Sequence, residues 1–182
     1  MALNFANNNS LSAITSLPAS ISGGAMTLIS TQTASSSATI SFTSGIDDTY
    51  DSYVFKFYNI HGSADNSDLT FNGSTDSGSN YNVTKTTTMF RAIHNEADNS
   101  TTLGYDTGGD LAQSTNFQSL IRSIGTDNDQ CGVGTMQLFS PSSSVFVKHF
   151  IQTSNSYGSA SNDYSRNQFF AGYMNTTSVI NA

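Results

Sequence analysis

Short runs of strand-forming residues separated by turn-forming clusters recur along most of this sequence, and they restrict its fold more than any other feature. Aromatic and β-branched residues favour strands, whereas Asn, Asp, Gly and Ser favour turns. The runs are 27–33, 38–44, 52–60, 68–73, 81–93, 117–124, 133–141, 144–152 and 167–175. Many short strands at close spacing are typical of a sandwich or barrel. We therefore predict an all-β protein, a jelly-roll-like β-sandwich of about eight to ten strands.

The composition supports this fold class. Ser, Thr and Asn occupy 71 of 182 positions and Glu96 is the single glutamate, so the residues that favour helices are scarce. The 12 Phe and 8 Tyr supply the large apolar areas from which a core can be built. We interpret the Ser/Thr-rich segment 30–45 as a hairpin, because Leu28, Ile29, Ile40 and Phe42 flank its polar middle.

Charge, cysteine content and the lack of long apolar runs restrict the partners and the covalent links that this chain can have. The net charge is −7 and the six basic residues are scattered, which disfavours nucleic acid as a partner because phosphate contacts need clustered Lys and Arg. Cys131 is alone, so no intrachain disulfide forms. The sequence contains neither a signal-peptide pattern nor about 18 consecutive apolar residues. We expect a soluble product made in the cytoplasm, with no membrane partner.

The first 25 residues differ from the remainder, since they carry no charged side chain and end at Gly23 and Gly24. We predict an extended N-terminal docking arm at 1–25, followed by a β-sandwich domain at 26–182. A disordered N-terminus is the alternative hypothesis, but it would leave several large apolar side chains in water. The residues predicted to dock on a partner are Leu3, Phe5, Leu11, Ile14 and Leu17.

At the other end of the sequence, Val179 and Ile180 resemble the opening of another strand. Either that strand is very short or the natural product continues beyond Ala182.

The run 52–60 is apolar on both of its faces. Successive side chains of a strand point to opposite sides, so Tyr53, Phe55 and Phe57 line one side, and Val54, Lys56, Tyr58 and Ile60 line the other. A strand with one face in water should alternate apolar and polar residues. The second face is therefore expected to contact another sheet, another subunit or a ligand.

Catalytic and metal-binding patterns are weak. The three histidines lack the local pairing of a zinc site, and the sequence has no nucleophile elbow or phosphate-binding loop. Glycoside hydrolysis needs two carboxylates, which Glu96 and an aspartate could supply. Calcium prefers clustered loop oxygens, and its candidate ligands are Asp47, Asp48, Asp51, Asp127 and Asp129. Structural histidines and turn-capping aspartates explain the same residues, and no cofactor is predicted.

Several tyrosines lie beside polar loops. Tyrosine rings stack on the apolar faces of sugars and amides bind hydroxyls, so Tyr81, Tyr105 and Tyr157 are possible glycan contacts. Packing at interfaces is the alternative role for these side chains.

Four segments together resemble a recurrent domain in virion structural proteins of tailed bacteriophages, especially marine and cyanobacterial phages. They are 23–61, 89–99 ("MFRAIHNEADN"), 129–150 and 169–180 ("FFAGYMNTTSVI"). Members are commonly labelled structural or tail-fibre-like, with no catalytic residue set to carry over. The family pattern runs beyond the "NTTS" segment into a closing apolar strand, which this chain would lack.

The resemblance implies a non-enzymatic virion protein, a fibre, tail appendage or capsid-decorating subunit. Virion appendages are commonly threefold, so the resemblance also implies a homotrimer that binds other virion proteins such as capsid, portal or tail. The second face of 52–60, around Tyr58, is then a subunit interface. The alternatives are a module that recognises host surface glycan and a polysaccharide hydrolase that uses Glu96.

Overall fold

Eight antiparallel strands form two sheets in the part of the chain that the structure describes. The structure is a computed structural model that describes residues 26–158 and 163–182. The strands are β1 (Ser52–Ile60), β2 (Ser67–Phe71), β3 (Lys85–Asn95), β4 (Thr101–Tyr105), β5 (Gln118–Ile124), β6 (Gly132–Phe139), β7 (Lys148–Gly158) and β8 (Tyr164–Met174). These residues contain no helix, and hence none that is long and apolar enough to cross a membrane.

The two sheets differ in size. Six strands follow the order β1-β6-β7-β8-β3-β4, and β2 pairs with β5 in the second sheet. The small sheet packs on one face of the large one through an apolar cluster to which both sheets contribute. The prediction of an all-β sandwich is confirmed. Eight is also the strand number of a jelly roll, divided here into six and two.

The apolar core lies between the two sheets, and on β7 it includes Phe150 near the start of the strand. Leu120, Ile121 and Ile124 of β5 pack against Met136 and Leu138 of β6 and Phe150 of β7. The ring of Phe71 on β2 meets that of Phe150 edge to face, with centroids 4.9 Å apart. This geometry is favoured by the aromatic quadrupole, and it joins the small sheet to the centre of the large one.

Strand β7 defines two faces of the large sheet. Its even-numbered residues are buried, whereas its odd-numbered residues from His149 to Asn155 are exposed. The small sheet covers the buried side, here called the inner face. The opposite side is called the outer face.

Toward the other end of β7 the inner face is polar, and its side chains bind the backbone of β5. The hydroxyls of Ser154 and Ser156 donate to the carbonyls of Leu120 (2.7 Å) and Arg122 (2.9 Å). The backbone N–H of Arg122 donates to the amide oxygen of Gln168 at 3.1 Å. Buried polar groups need such partners, so these bonds position β5 on the large sheet.

The alternation predicted for β1 ends at a β-bulge. Phe57 pairs with Gly134, but Ile60 pairs with Gly132, so β1 has one extra residue. Asn59 takes a left-handed conformation (φ 49°), which asparagine tolerates better than most residues. Ile60 therefore packs against the core with Phe55 and Phe57, and its predicted place beside Tyr58 was wrong.

Two predicted strands are absent and one strand was missed. Residues 26–51 contain no strand, so the predicted hairpin at 30–45 was wrong. Leu28 and Ile40 are exposed, and a lone hairpin without a buried face is marginal in water. Strand β4, "TTLGY", was missed because its residues are weakly patterned and mostly exposed.

The C-terminal residues pack without forming a strand. Residues 175–182 are irregular, which corrects the strand expected at Val179 and Ile180. Ile180 instead enters the core, and its N–H donates to the carbonyl of Pro141 at 2.9 Å. Residues 34–182 form one compact unit. The predicted arm, with Leu3, Phe5, Leu11, Ile14 and Leu17, lies outside the described residues.

Candidate functional site

The outer face of the six-stranded sheet carries large apolar side chains in partial contact with water. Ile151 on the central strand β7 is 57% exposed, and Leu103 on the edge strand β4 is 78% exposed. The others on this face are Val54, Phe90, Tyr105 and Val133. Tyr58, the predicted interface residue, is 70% exposed. No strand among the described residues covers these side chains.

Strand pairing aligns the aromatic residues of the outer face in a row. Phe90 pairs with both Tyr105 and Phe169, and the rings of Phe90 and Phe169 stack with centroids 4.6 Å apart. The hydroxyl of Tyr105 donates to Asp110 at 2.5 Å. Of the strand positions on the outer face that the structure describes, Lys56 alone carries a permanent charge. The outer face is therefore broad, aromatic and poor in charge.

A cleft of about 400 Å³ opens at the end of the large sheet where β3 and β7 finish and β8 begins. Its lining includes His94, Glu96 and Asp98 from the end of β3 and the turn after it, Asn155 and Tyr157 from β7, and Tyr164 from β8. These strands are neighbours in the order β7-β8-β3. The topology therefore brings together residues more than 50 positions apart in the chain.

Hydrogen bonds hold the walls of the cleft in place. A ring nitrogen of His94 (Nε2) lies 3.0 Å from Oδ1 of Asp98 across the β3–β4 turn. The N–H of Glu96 donates to the carbonyl of Asp163 at 2.8 Å, and the amide of Asn155 donates to Ser165 Oγ at 2.9 Å. The backbone position of Glu96 is thus set, and its carboxylate remains exposed at the cleft.

The surroundings of Tyr157 in the cleft shift the pKa of its phenol. Burial, followed by the negative charges of Asp163 and Glu96, raises the pKa of its phenol to about 12. A hydrogen bond to the Glu96 carboxylate acts in the same direction, because a phenol that donates to a carboxylate resists losing its proton. Tyr157 is therefore a protonated donor at neutral pH, in a negatively charged environment.

The predicted glycan-contact residues do not form one platform. Tyr157 lies in the cleft and Tyr105 lies on β4. Tyr81 lies in the segment between β2 and β3, and its hydroxyl is buried without a partner. Glu96 lines the cleft beside Asp98, so two carboxylates are available there. The sequence placed Tyr157 and Tyr164 alike beside polar loops, but it did not bring His94 and Asn155 together with them, because the pairing of β8 with both β3 and β7 cannot be predicted from local patterns.

The calcium candidates show no metal-binding arrangement. The carboxylate of Asp47 accepts from the N–H of Thr49 (2.9 Å) and the hydroxyl of Tyr53 (3.0 Å), and these bonds lower its pKa. Asp127 accepts a long bond of 3.4 Å from the amide of Gln130. Within 26–158 and 163–182, no three His, Cys, Asp or Glu side chains form a group that could hold a metal ion. Asp48, Asp51 and Asp129 thus join no such group.

Comparison of the chain with family models, curated proteins and solved structures gave no match.

Proposed function

We propose that this protein is a non-enzymatic structural subunit of a bacteriophage virion. Its place would be a fibre, a tail appendage or a decoration of the capsid, and its outer face would pack against sister subunits. The observation that supports this proposal is the uncovered outer face, whose apolar residues include Ile151, Leu103 and Phe90. The sequence resemblance to virion proteins agrees with it.

The character of the outer face fits a subunit interface. The fully buried centre of such an interface is depleted in charge and enriched in aromatic residues, as this face is. A contiguous apolar surface that is exposed on a sheet also marks a site of protein contact. The proposed assembly is a homotrimer, with residues 1–25 attaching it to capsid, portal or tail proteins.

A lysine in the middle of the outer face tests the interface. We expect the purified protein to be a trimer by light scattering at micromolar concentration, and Ile151→Lys to weaken association by at least about tenfold, because it places a charge in an apolar contact. Phe146→Lys is the matched control, since Phe146 is 72% exposed in the loop before β7. A wild-type monomer would refute the interface, and so would a trimer unaffected by Ile151→Lys.

A second candidate function is recognition of host surface glycan. The observation that favours it is the cleft beside Tyr157 and Glu96. A polysaccharide hydrolase that uses Glu96 with an aspartate is the third. Glu96→Gln would abolish hydrolysis of a polysaccharide substrate without affecting assembly, and unchanged hydrolysis would exclude that role.

A further inference from the structure

We propose that the cleft at the end of β3, β7 and β8 is a saccharide site that accepts neutral sugars and rejects acidic ones. This inference rests on glycan recognition, the second candidate function, and adds to it the location of the site and the chemical class of the ligand. The cleft meets the outer face at Asn155, but Ile151, the residue that tests the subunit interface, does not line it, so different variants test the two proposals.

The size and openness of the cleft suit a sugar. A volume of about 400 Å³ falls within the range of small-ligand sites, which span roughly 300–1,000 Å³. Tyr157 and Tyr164 are each half buried in its walls. The Tyr157 ring offers an apolar surface to the C–H face of a pyranose, whereas the Tyr164 ring carries the guanidinium of Arg166 at 5.0 Å from its centroid, and its hydroxyl accepts from that guanidinium at 3.0 Å.

The polar groups of the cleft match hydroxyl groups. The exposed carboxylates of Glu96 and Asp98 can each accept several hydrogen bonds, and hydrogen bonds to charged acceptors are stronger than neutral ones. The Asn155 amide donates to Ser165 Oγ and to the carbonyl of Arg166, so its oxygen is the atom left to accept from a ligand. A sugar presents adjacent hydroxyls that can donate to these oxygens, so this set can bind one without any cofactor.

The charge of the cleft selects among sugars. Glu96, Asp98 and the nearby Asp163 are acidic, and the lining residue His94 is paired with Asp98. The guanidinium of Arg166, which lies over the Tyr164 ring, belongs to a buried residue, whereas Glu96 and Asp98 are exposed. The raised pKa of Tyr157 has the negative charges of Asp163, Glu96 and Asp129 among its causes. A ligand carboxylate or phosphate would meet this field at short range and would be repelled. Neutral saccharides avoid that penalty.

An array of immobilised saccharides tests the proposal with the full chain. The array carries neutral oligosaccharides of glucose, galactose, mannose and N-acetylglucosamine, and acidic ones that bear sialic acid, uronic acid or phosphate. We expect binding to at least one neutral structure and none to its acidic counterpart. Glu96→Gln and Tyr157→Ala should each weaken that binding about tenfold or more, the loss expected for one or two good hydrogen bonds.

Matched controls come from a tyrosine and a carboxylate outside the cleft. Tyr50, which is partly exposed, and Asp110 do not line the cleft, so Tyr50→Ala and Asp110→Asn should leave saccharide binding unchanged. Thermal unfolding of each variant verifies that it is folded, and Tyr157→Phe serves in place of Tyr157→Ala if the latter is not.

The outcomes distinguish failure of the cleft as the binding site from failure of glycan recognition itself. Neutral binding that is lost in the cleft variants and kept in the controls supports the site. Binding that survives both cleft variants leaves glycan recognition standing but overturns the cleft as its location, and binding to acidic sugars alone overturns the ligand class. Absence of binding to every saccharide refutes glycan recognition itself.

Discussion

At the residue scale, two lysines are buried on the inner face without acidic partners. Lys85 and Lys148 are both 0% exposed, and both pair in register with Met174 on β8. The ammonium of Lys85 donates to Asn72 Oδ1 (2.6 Å) and the carbonyl of Val83 (2.8 Å). The ion pairs in the described part of the chain include neither lysine. These charges therefore depend on neutral oxygens alone.

Burial lowers the pKa of both lysines, that of Lys85 to about 8. Lys85 begins β3 inside a run that the sequence correctly predicted as a strand. Its burial could not be predicted, because lysine is rarely buried unless it is paired. The position on the inner face follows from strand register alone.

Folding stability is predicted to rise with pH on the alkaline side of neutrality. Between pH 8 and about 10.4, the unfolded Lys85 binds a proton that the folded one has released, so stability increases with pH there. Below pH 8 the folded state carries the full cost of the buried charge, on the order of 3 kcal/mol. Lys85→Met should remove this cost and reduce the slope. Urea unfolding at pH 7 and pH 9.5 measures both effects.

The exposed Lys56 of β1 provides the control for that experiment, since Lys56→Met removes an ammonium group that folding does not bury. Lys85→Met should retain part of the slope of stability against pH, because burial also lowers the pKa of Lys148. Equal slopes for the wild type and Lys85→Met would contradict the argument.

At the scale of the elements, close approach of the two sheets depends on a glycine. A Cβ at Gly132 on β6 would lie 2.7 Å from Cγ2 of Ile121 on β5, far inside van der Waals contact. β5 therefore lies directly on β6 at this point. Together with the bonds from Ser154 and Ser156 to its backbone, this contact determines where the small sheet sits.

Gly132→Ala is predicted to destabilise the fold by about 1–3 kcal/mol, the usual cost of overpacking a core. Gly104→Ala on β4 is the matched control, because a Cβ there meets nothing within 4 Å. We expect that control to be neutral or slightly stabilising, since alanine loses less chain entropy than glycine on folding. Thermal unfolding compares the two. Equal stabilities would show that the sheets can separate at Gly132 without cost.

Element prediction succeeded where the pattern was long and aromatic. β1 was predicted at its observed limits, and β8 was predicted from 167, three residues after its observed start at Tyr164; apolar and aromatic residues fill the predicted part of each. The runs 27–33 and 38–44 have similar local propensity but no strand, since propensity is a weak guide where no partner strand buries a face. The bulge at Asn59 was missed for a related reason, because one extra residue is visible only against the partner strand β6.

At the scale of the whole molecule, the unequal sheets leave the outer face without a second layer among the described residues. A six-stranded sheet paired with a two-stranded one buries one face and exposes the other. Among the described residues, the side chains of the apolar core cluster belong to the unit 34–182. The N-terminal residues are therefore predicted to be dispensable for folding of this unit.

Deletion of residues 1–22 tests this division of roles. We expect the truncated chain to keep the oligomeric mass and the unfolding temperature of the full chain, because both depend on the β domain. Incorporation into virus particles should be lost, since the deleted residues contain the proposed docking side chains. Light scattering and thermal unfolding report on the first expectation, and particle composition reports on the second. A truncated chain that is incorporated normally would argue against the docking arm.

The sequence by itself determined the fold class, the richness in aromatic residues, the shortage of charge and most of the strands. These properties are local, since a strand is recognised from the alternation and type of its own residues. The tertiary structure decided which side of each strand is buried, that two unpaired lysines lie inside, and that Glu96, Tyr157 and Tyr164 share one cleft. Those facts depend on the order β1-β6-β7-β8-β3-β4, in which strands that are neighbours in space are distant in the chain. Local sequence patterns therefore cannot predict them.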